Sequence, residues 1–274
     1  MAKRDSVRIG PRDLELMQAL EVLVLTPAQL RRFSQTFAER FPDETTVRRR
    51  LRRLQSAGLV RSFPYAFSAS GQSPSYWKLT QNGFRLLYDD DVALPKRRFF
   101  EAMTPGRHHH TQSLGELVIH LLVLAEKSDL RFQHLTGEGS VKIETTSFTL
   151  YPDFGFQLVS PSGKVFNFLI ELDNGTERVR SKQAVESLER KIRGYDAHQR
   201  QFEAFSAERY VVLFVTTRSD ARVAHINNAI EAVTSNRQRR MFLTSNLAAV
   251  LAASSLNESV FQDLSGPASL VPAS

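Results

Sequence analysis

The chain has 274 residues, 42% of them apolar, which supports a packed core and argues against global disorder. Its net charge of +7 is uneven, +8 over residues 1–100 and −1 over residues 101–274, so a polyanion partner is expected for the N-terminal half. With no cysteine, disulfides, cysteine zinc sites, iron–sulfur clusters and thiol nucleophiles are excluded; with its longest apolar run only Leu117 to Ala125, no membrane partner and a cytoplasmic location are expected.

The length favours two domains. Leu14, Met17, Leu20 and Val24 recur at helical spacing and predict a helix over 11–24, with Pro11 in its first turn. Thr26-Pro27 opens a second helix, with Leu30, Phe33 and Phe37 inward. Asp43 caps a third, over about 44–57, which Gly58 ends; Val47, Leu51 and Leu54 form its apolar face. Residues 59–61 and 76–79 read as strands around a Ser/Gly/Pro-rich tip at 68–75, and another helix begins near Thr80. Three helices and a β-hairpin predict a winged helix-turn-helix over 1–88.

Residues 89–106, rich in Asp, Pro, Lys, Arg and Gly, read as a linker. The order beyond is helix (about 109–127), strand (131–135), an extended segment within 141–150, strands (151–159 and 165–172) and a long helix (about 178–204). A strand (209–216), a helix (about 220–236), a strand (240–244) and a helix (245–252) complete it. The expected class is α/β, with a central mixed sheet in a domain over 107–252, then a Ser/Ala/Pro-rich flexible tail over 253–274.

The third predicted helix holds five arginines within residues 48–53. In a helix-turn-helix its N-terminal part enters the major groove, which makes Thr45, Thr46 and Arg49 base readers. Arg50, Arg53, Arg61 and Lys78 would reach phosphates, and Arg48 and Arg52 add to the basic surface. The expected partner is double-stranded DNA, bound by a possible homodimer on paired half-sites. The competing reading is a solvated charged helix in a protein-interaction module.

Asp153 and Glu171 flank β-type runs and can meet at one sheet edge. Paired carboxylates suit Mg²⁺ or Mn²⁺, which could activate water or stabilise a leaving oxygen. Asp173-Asn174-Gly175 also fits an ordinary turn. Glu171 after the run Phe166 to Ile170 is harder to dismiss, because a buried acid must be paired, solvated or metal-bound. Glu116 reads as a solvated helix residue, with a metal ligand as the alternative. Of His108-His109-His110, His109 or His110 would face a cleft or a phosphate. Trp77 reads as packing, as does Tyr195, for which a phosphate contact or nucleophile is the alternative.

The strand and helix order, with Asp on one strand and Glu on the next, resembles the PD-(D/E)xK nuclease superfamily. Together with the N-terminal module, the chain resembles the replication-relaxation family over about residues 10–220. The matching features are His108-His109-His110, Pro152-Asp153, the string Ile170 to Glu177, and Lys191-Ile192-X-X-Tyr195. The resemblance implies a role in plasmid or mobile-element replication, relaxation or transfer, with Asp153, Glu171, Asp173 and Lys191 as site residues. One departure matters: the superfamily's Glu-X-Lys has Asp173 in the lysine position. Lys182 or Lys191 from the following helix could substitute, and Lys191 is favoured by its string; a plain surface lysine is the alternative. Two functions follow, a sequence-specific DNA-binding protein with a metal-dependent nuclease-like domain, or a non-catalytic regulator or replication accessory factor with a degenerate nuclease fold.

Overall fold

The computed structural model describes residues 8–67, 73–88, 90–175, 187–203, 206–235 and 239–271. It divides into two compact units, Met1–Ile119 and His120–Ser274.

The first unit begins with α1 (Pro11–Val22), where the Gly10 N–H donates to Asp13 Oδ2 at 2.8 Å. α2 (Pro27–Phe33) starts with a reciprocal cap: the Gln29 N–H donates to Thr26 Oγ1, and the Thr26 N–H to Gln29 Oε1. α3 (Glu44–Ser56) is capped by Asp43, which accepts from the Thr46 N–H at 2.7 Å; Gly58, at φ +74°, lets the chain turn away. β1 (Val60–Pro64) and β2 (Ser75–Leu79) pair antiparallel, and the Trp77 N–H donates to the Leu25 carbonyl at 2.8 Å, adding a one-residue third strand. Residues 68–72 of the predicted tip lie outside the described residues. α4 (Gln81–Leu87) follows its Thr80 cap. Leu16, Met17, Leu20, Leu30, Val47, Leu51, Leu54 and Leu79 are all buried in this unit.

The expected linker at 89–106 belongs to the first unit. Its composition is polar, but Phe99 and Phe100 each lie 6.3 Å ring to ring from Phe84 of α4. The division between units falls instead within α5 (His108–Lys127), between Ile119 and His120.

The second unit carries β3 (Arg131–Thr136), the short hairpin β4 (Ile143–Glu144) and β5 (Thr149–Leu150), β6 (Phe154–Val159), β7 (Val165–Asp173) and α6 (Leu188–Gln199). It continues through β8 (Val211–Thr216), α7 (Asp220–Val233), β9 (Phe242–Asn246), α8 (Leu247–Ala252), β10 (Phe261–Asp263) and β11 (Gly266–Ala268). Among the described residues a seven-stranded sheet runs β11-β10-β9-β8-β7-β6-β3, with β7, β8 and β9 parallel and the other pairs antiparallel. The fold is therefore α/β with a large mixed sheet. Residues 178–186 of the predicted long helix lie outside the described residues.

The tail differs from the expectation. Phe261, Ala268 and Leu270 are buried, and β10 joins the sheet through the pairing of Gln262 with Thr244. A few apolar anchors outweigh the Ser/Ala/Pro background.

Gly83 marks a close approach in the first unit. A Cβ there would meet the Leu59 carbonyl oxygen at 2.0 Å. Alanine in a helix gains about 1 kcal/mol over glycine, whereas overpacking costs roughly 1–3 kcal/mol. The obstacle is backbone, so the clash decides. Gly83→Ala is expected to lower stability by about 1–2 kcal/mol in urea melts; a more stable variant would refute the account.

Candidate functional site

β6 and β7 run antiparallel, so the start of one and the end of the other share a sheet edge. The Asp153 N–H donates to the Ile170 carbonyl at 3.0 Å, and Asp153 Oδ2 accepts from the Leu172 N–H at 2.8 Å. Strand alternation puts Leu169, Glu171 and Asp173 on one face. Leu169 there shares a buried cluster with Ile192 and Tyr195 of α6 and Ile226 of α7.

Glu171 is 3% exposed, and both its oxygens are engaged. Lys191 Nζ donates to Oε2 at 2.9 Å and the Tyr195 hydroxyl to Oε1 at 2.5 Å. Lys191 and Tyr195 stand four residues apart, hence on one face of α6. Burial is the main force raising the Glu171 pKa above the ordinary glutamate range; Lys191 opposes it, the Asp153 carboxylate adds to it, and the bonds from Tyr195 and Lys191 oppose it. Burial, and then the Glu171 charge, hold the Tyr195 phenol far above its usual value, so this hydroxyl is a donor. The structure thus brings Asp153, Glu171 and Lys191 together.

Asp173 is committed elsewhere. Arg222 of α7 donates to both its oxygens at 2.8 Å, Thr216 Oγ1 donates to Oδ2 at 2.9 Å, and the Gly175 N–H to Oδ1 at 3.0 Å. Burial opposes ionisation, but the bonds from Arg222 and Thr216 and the Arg222 charge together hold its pKa below the ordinary aspartate range. Asp173, expected to assist, is thus held by Arg222, Thr216 and the Gly175 N–H. Lys182 lies outside the described residues.

In the first unit, Thr45, Arg49, Arg52 and Arg53 of α3 are exposed, as is Arg61 of β1, whose guanidinium stands 5.1 Å from the Phe63 ring centre. Arg48 is also exposed, with its Nε donating to Glu44 Oε1 at 2.7 Å, and the Thr46 hydroxyl donates to Asp43 at 3.2 Å. Two expected phosphate contacts need correction. Arg50 turns inward and grips both oxygens of buried Asp13, while its Nη2 donates to the Arg8 carbonyl at 2.8 Å. Lys78 is 6% exposed and donates to the carbonyls of Arg98 and Glu101 at 3.0 and 2.8 Å. Its ammonium satisfies backbone oxygens of the segment that the sequence read as a linker.

Glu116 is partly exposed and also paired: it accepts from Arg32 and from Gln29 Nε2. His108 is the buried histidine, and its Nδ1 accepts from the Ala66 N–H at 2.8 Å; His109 is exposed, 4.8 Å from the Phe67 ring. Sequence reasoning missed Arg222, Asp13 and the Tyr195 bond to Glu171. For Tyr195 a signal existed in its spacing from Lys191; for Arg222 the sequence offers none.

A protein-family model described as replication-relaxation matches residues 17–209. The chain belongs to the replication-relaxation family. No match was found among curated proteins or among solved structures. For this replication-relaxation protein, family membership points to DNA replication or relaxation on mobile elements. Asp153, Glu171, Lys191 and Tyr195 fall inside the matched span, and Arg222 falls beyond it.

The Asp173–Arg222 pair sets a measurable stability. Removing one partner of a buried, hydrogen-bonded pair costs about 3–5 kcal/mol. Arg222→Ala is expected to approach that loss at neutral pH, measured by urea unfolding. The Asp173 pKa is depressed, so the pair's contribution is full above the ordinary aspartate value and fades as pH falls through the depressed one. The wild-type advantage over Arg222→Ala should therefore shrink in acid; an advantage that grows there would refute the pairing.

Proposed function

We propose that this replication-relaxation protein binds specific DNA sites of a plasmid or mobile element through its N-terminal unit, and that its C-terminal unit carries a metal-dependent nuclease-like centre. One observation carries the second part: Lys191, not the residue two after Glu171, converges with Asp153 on Glu171. That supplies the three chemical types of a PD-(D/E)xK centre, with the lysine moved from the strand to the following helix.

The residues fit a hard divalent cation. Mg²⁺ is usually held by one or two carboxylates, with water and phosphate oxygens completing its shell. Among the described residues no group of three or more His, Asp or Glu side chains is placed to hold a metal ion, so the site would rest on two carboxylates. Asp153 and Glu171 would hold Mg²⁺ or Mn²⁺, which when bound supplies Lewis acidity and an activated water for phosphodiester cleavage. Lys191 faces charge developing on the phosphate. Tyr195 fixes the rotamer of Glu171.

For DNA binding, α2, α3, the β1–β2 hairpin and the Leu25 bridge support a winged helix-turn-helix reading, with α3 as recognition helix. Helical geometry puts Thr45, Arg49, Arg52 and Arg53 on the side away from buried Val47, Leu51 and Leu54. Arg49 and Thr45 serve as base readers; Arg52, Arg53 and Arg61 meet phosphates. Two copies on paired half-sites would suit such a module.

A second reading has its own observation. Both oxygens of Glu171 are filled by protein donors, as in a catalytically silent domain kept for assembly. A supercoiled-plasmid assay with Mg²⁺ or Mn²⁺ separates the two. The expected result is cutting by wild type, a loss on the order of 10²-fold or more in Asp153→Asn and in Lys191→Ala, and undiminished DNA binding by both. Wild type that binds cognate DNA but never cuts it favours the silent domain. Cutting that survives Asp153→Asn overturns the site.

The DNA surface has a separate test. Arg49→Ala with Arg52→Ala should weaken duplex binding by roughly tenfold or more, with a shallower salt dependence. Arg50→Ala should lower thermal stability and leave the exposed basic face intact. If Arg50→Ala abolishes binding while folding normally, and the double variant binds as wild type does, the face is wrongly assigned.

A further inference from the structure

The basic run Lys96-Arg97-Arg98 takes no part in the sites described so far, yet it has a fixed place in the first unit. It enters a one-turn helix at Arg97–Phe99, and three bonds fasten the stretch around it to β2. Lys78 Nζ donates to the Arg98 and Glu101 carbonyls at 3.0 and 2.8 Å, and the Met103 N–H donates to the Tyr76 hydroxyl at 2.9 Å. Phe99 and Phe100 add contacts to Phe84 of α4. A stretch anchored this often presents its cations at set positions.

The hairpin register gives those positions. Arg61 stands opposite Lys78, and Phe63 opposite Tyr76. Directly opposed residues share a face, as do residues two apart, so all four lie on one face of the hairpin. The pair on β2 holds the stretch 98–103. The pair on β1 carries the Arg61 guanidinium 5.1 Å from the Phe63 ring centre. Arg98 is thus docked on the face that presents Arg61. We propose that Lys96 and Arg98, held on the β1–β2 hairpin through Lys78 and Tyr76, form with Arg61 a second phosphate-contacting surface for duplex DNA, beside the one on α3. The inference rests on the reading of the first unit as a DNA-binding module.

Charge and exposure point to the same partner. Lys96, Arg97, Arg98 and Arg61 are all exposed. Arg97 donates to Glu101 at 2.5 Å, whereas among the described residues no carboxylate is paired with Lys96, Arg98 or Arg61. Three like charges docked on one hairpin repel one another until an anion meets them. Their side chains are open to solvent rather than walled in, which suits a repeating backbone of phosphates and not one enclosed anion. α3 ends at Ser56 and β1 begins at Val60, so Arg61 follows closely on the recognition surface. Contacts of this kind lengthen the hold on the duplex and read no sequence.

Anisotropy titrations of the full chain with a duplex of arbitrary sequence, repeated at rising sodium chloride, test the surface. Lys96→Gln with Arg98→Gln is expected to weaken binding roughly tenfold at low salt. It should also flatten the plot of log affinity against log salt by about 2, near 0.9 for each lost phosphate contact. Arg98→Lys keeps the charge and should keep the wild-type slope. Lys127→Gln with Arg131→Gln removes the same charge from exposed positions of the second unit and should leave the slope as it is. Lys78→Met retains Lys96 and Arg98 but unfastens their stretch, and it too should flatten the slope. If Lys78→Met does not fold, the exposed pair Lys96 and Arg98 decides alone. A wild-type slope in Lys96→Gln with Arg98→Gln or in folded Lys78→Met, or equal flattening by the second-unit pair, would overturn the inference and leave α3 to be judged by Arg49→Ala with Arg52→Ala. Wild type that binds no duplex at low salt overturns both.

Discussion

A carboxylate at the end of a buried central strand constrains most of the second unit. Glu171 sits where both faces of β7 are covered, and burying an ion costs several kcal/mol even after relaxation. Hydrogen bonds to a charged group return about 1.5–3 kcal/mol each, so one donor is not enough. Two are supplied from one helix face, by Lys191 and Tyr195. That requirement fixes the rotation of α6 about its axis. It also fixes how close α6 lies: between the two donors sits Gly194, where a Cβ would come within 2.7 Å of Leu150. The hairpin β4–β5, which carries Leu150, packs there because the helix has no side chain at that point.

The two acids on this face of β7 are answered differently. Asp173 meets the fork of Arg222, a planar cation that holds both oxygens at once. Such a pair is rigid and leaves little acceptor capacity free. Glu171 meets an ammonium and a phenol, each through a single bond to a separate oxygen. A lysine on a flexible stem can follow an incoming anion in a way that a bidentate arginine cannot. Asp173 is thus a fold-locking position, and under the proposed nuclease reading the positive charge would come from Lys191 on α6 instead.

Much of this was legible in the sequence, because the signals were local. The caps at Thr26 and Asp43, the turn at Gly58 and the acid after the run Phe166 to Ile170 each depend on near neighbours. Lys191 and Tyr195 were readable as a helix-face pair, though not their shared partner, which lies 20 and 24 residues away. The failures were all non-local. Lys78 looked like a wing cation because nothing nearby reveals that the carbonyls of Arg98 and Glu101 need a donor. The tail looked loose because three buried apolar residues, Phe261, Ala268 and Leu270, are sparse against serine and proline. Arg222 joins Asp173 across 49 residues, and no periodicity announces it.

Arg50 is the instructive middle case. In a run of five arginines it reads as one more phosphate contact. Yet it follows Val47 by three residues and precedes Leu54 by four, which places it on the margin of the buried stripe. From that margin its stem covers apolar surface and its head reaches Asp13, an acid that α1 buries. Arg49 is one step along the same helix, about 100° around it, which carries it off that margin and into solvent. Two consecutive, chemically identical side chains therefore have opposite destinations. One neutralises a charge inside the unit; the other stands in solvent beside Arg52 and Arg53. A basic run is not a binding surface as a whole: its helical phase selects which charges remain for a partner, and here the phase leaves a single outward stripe.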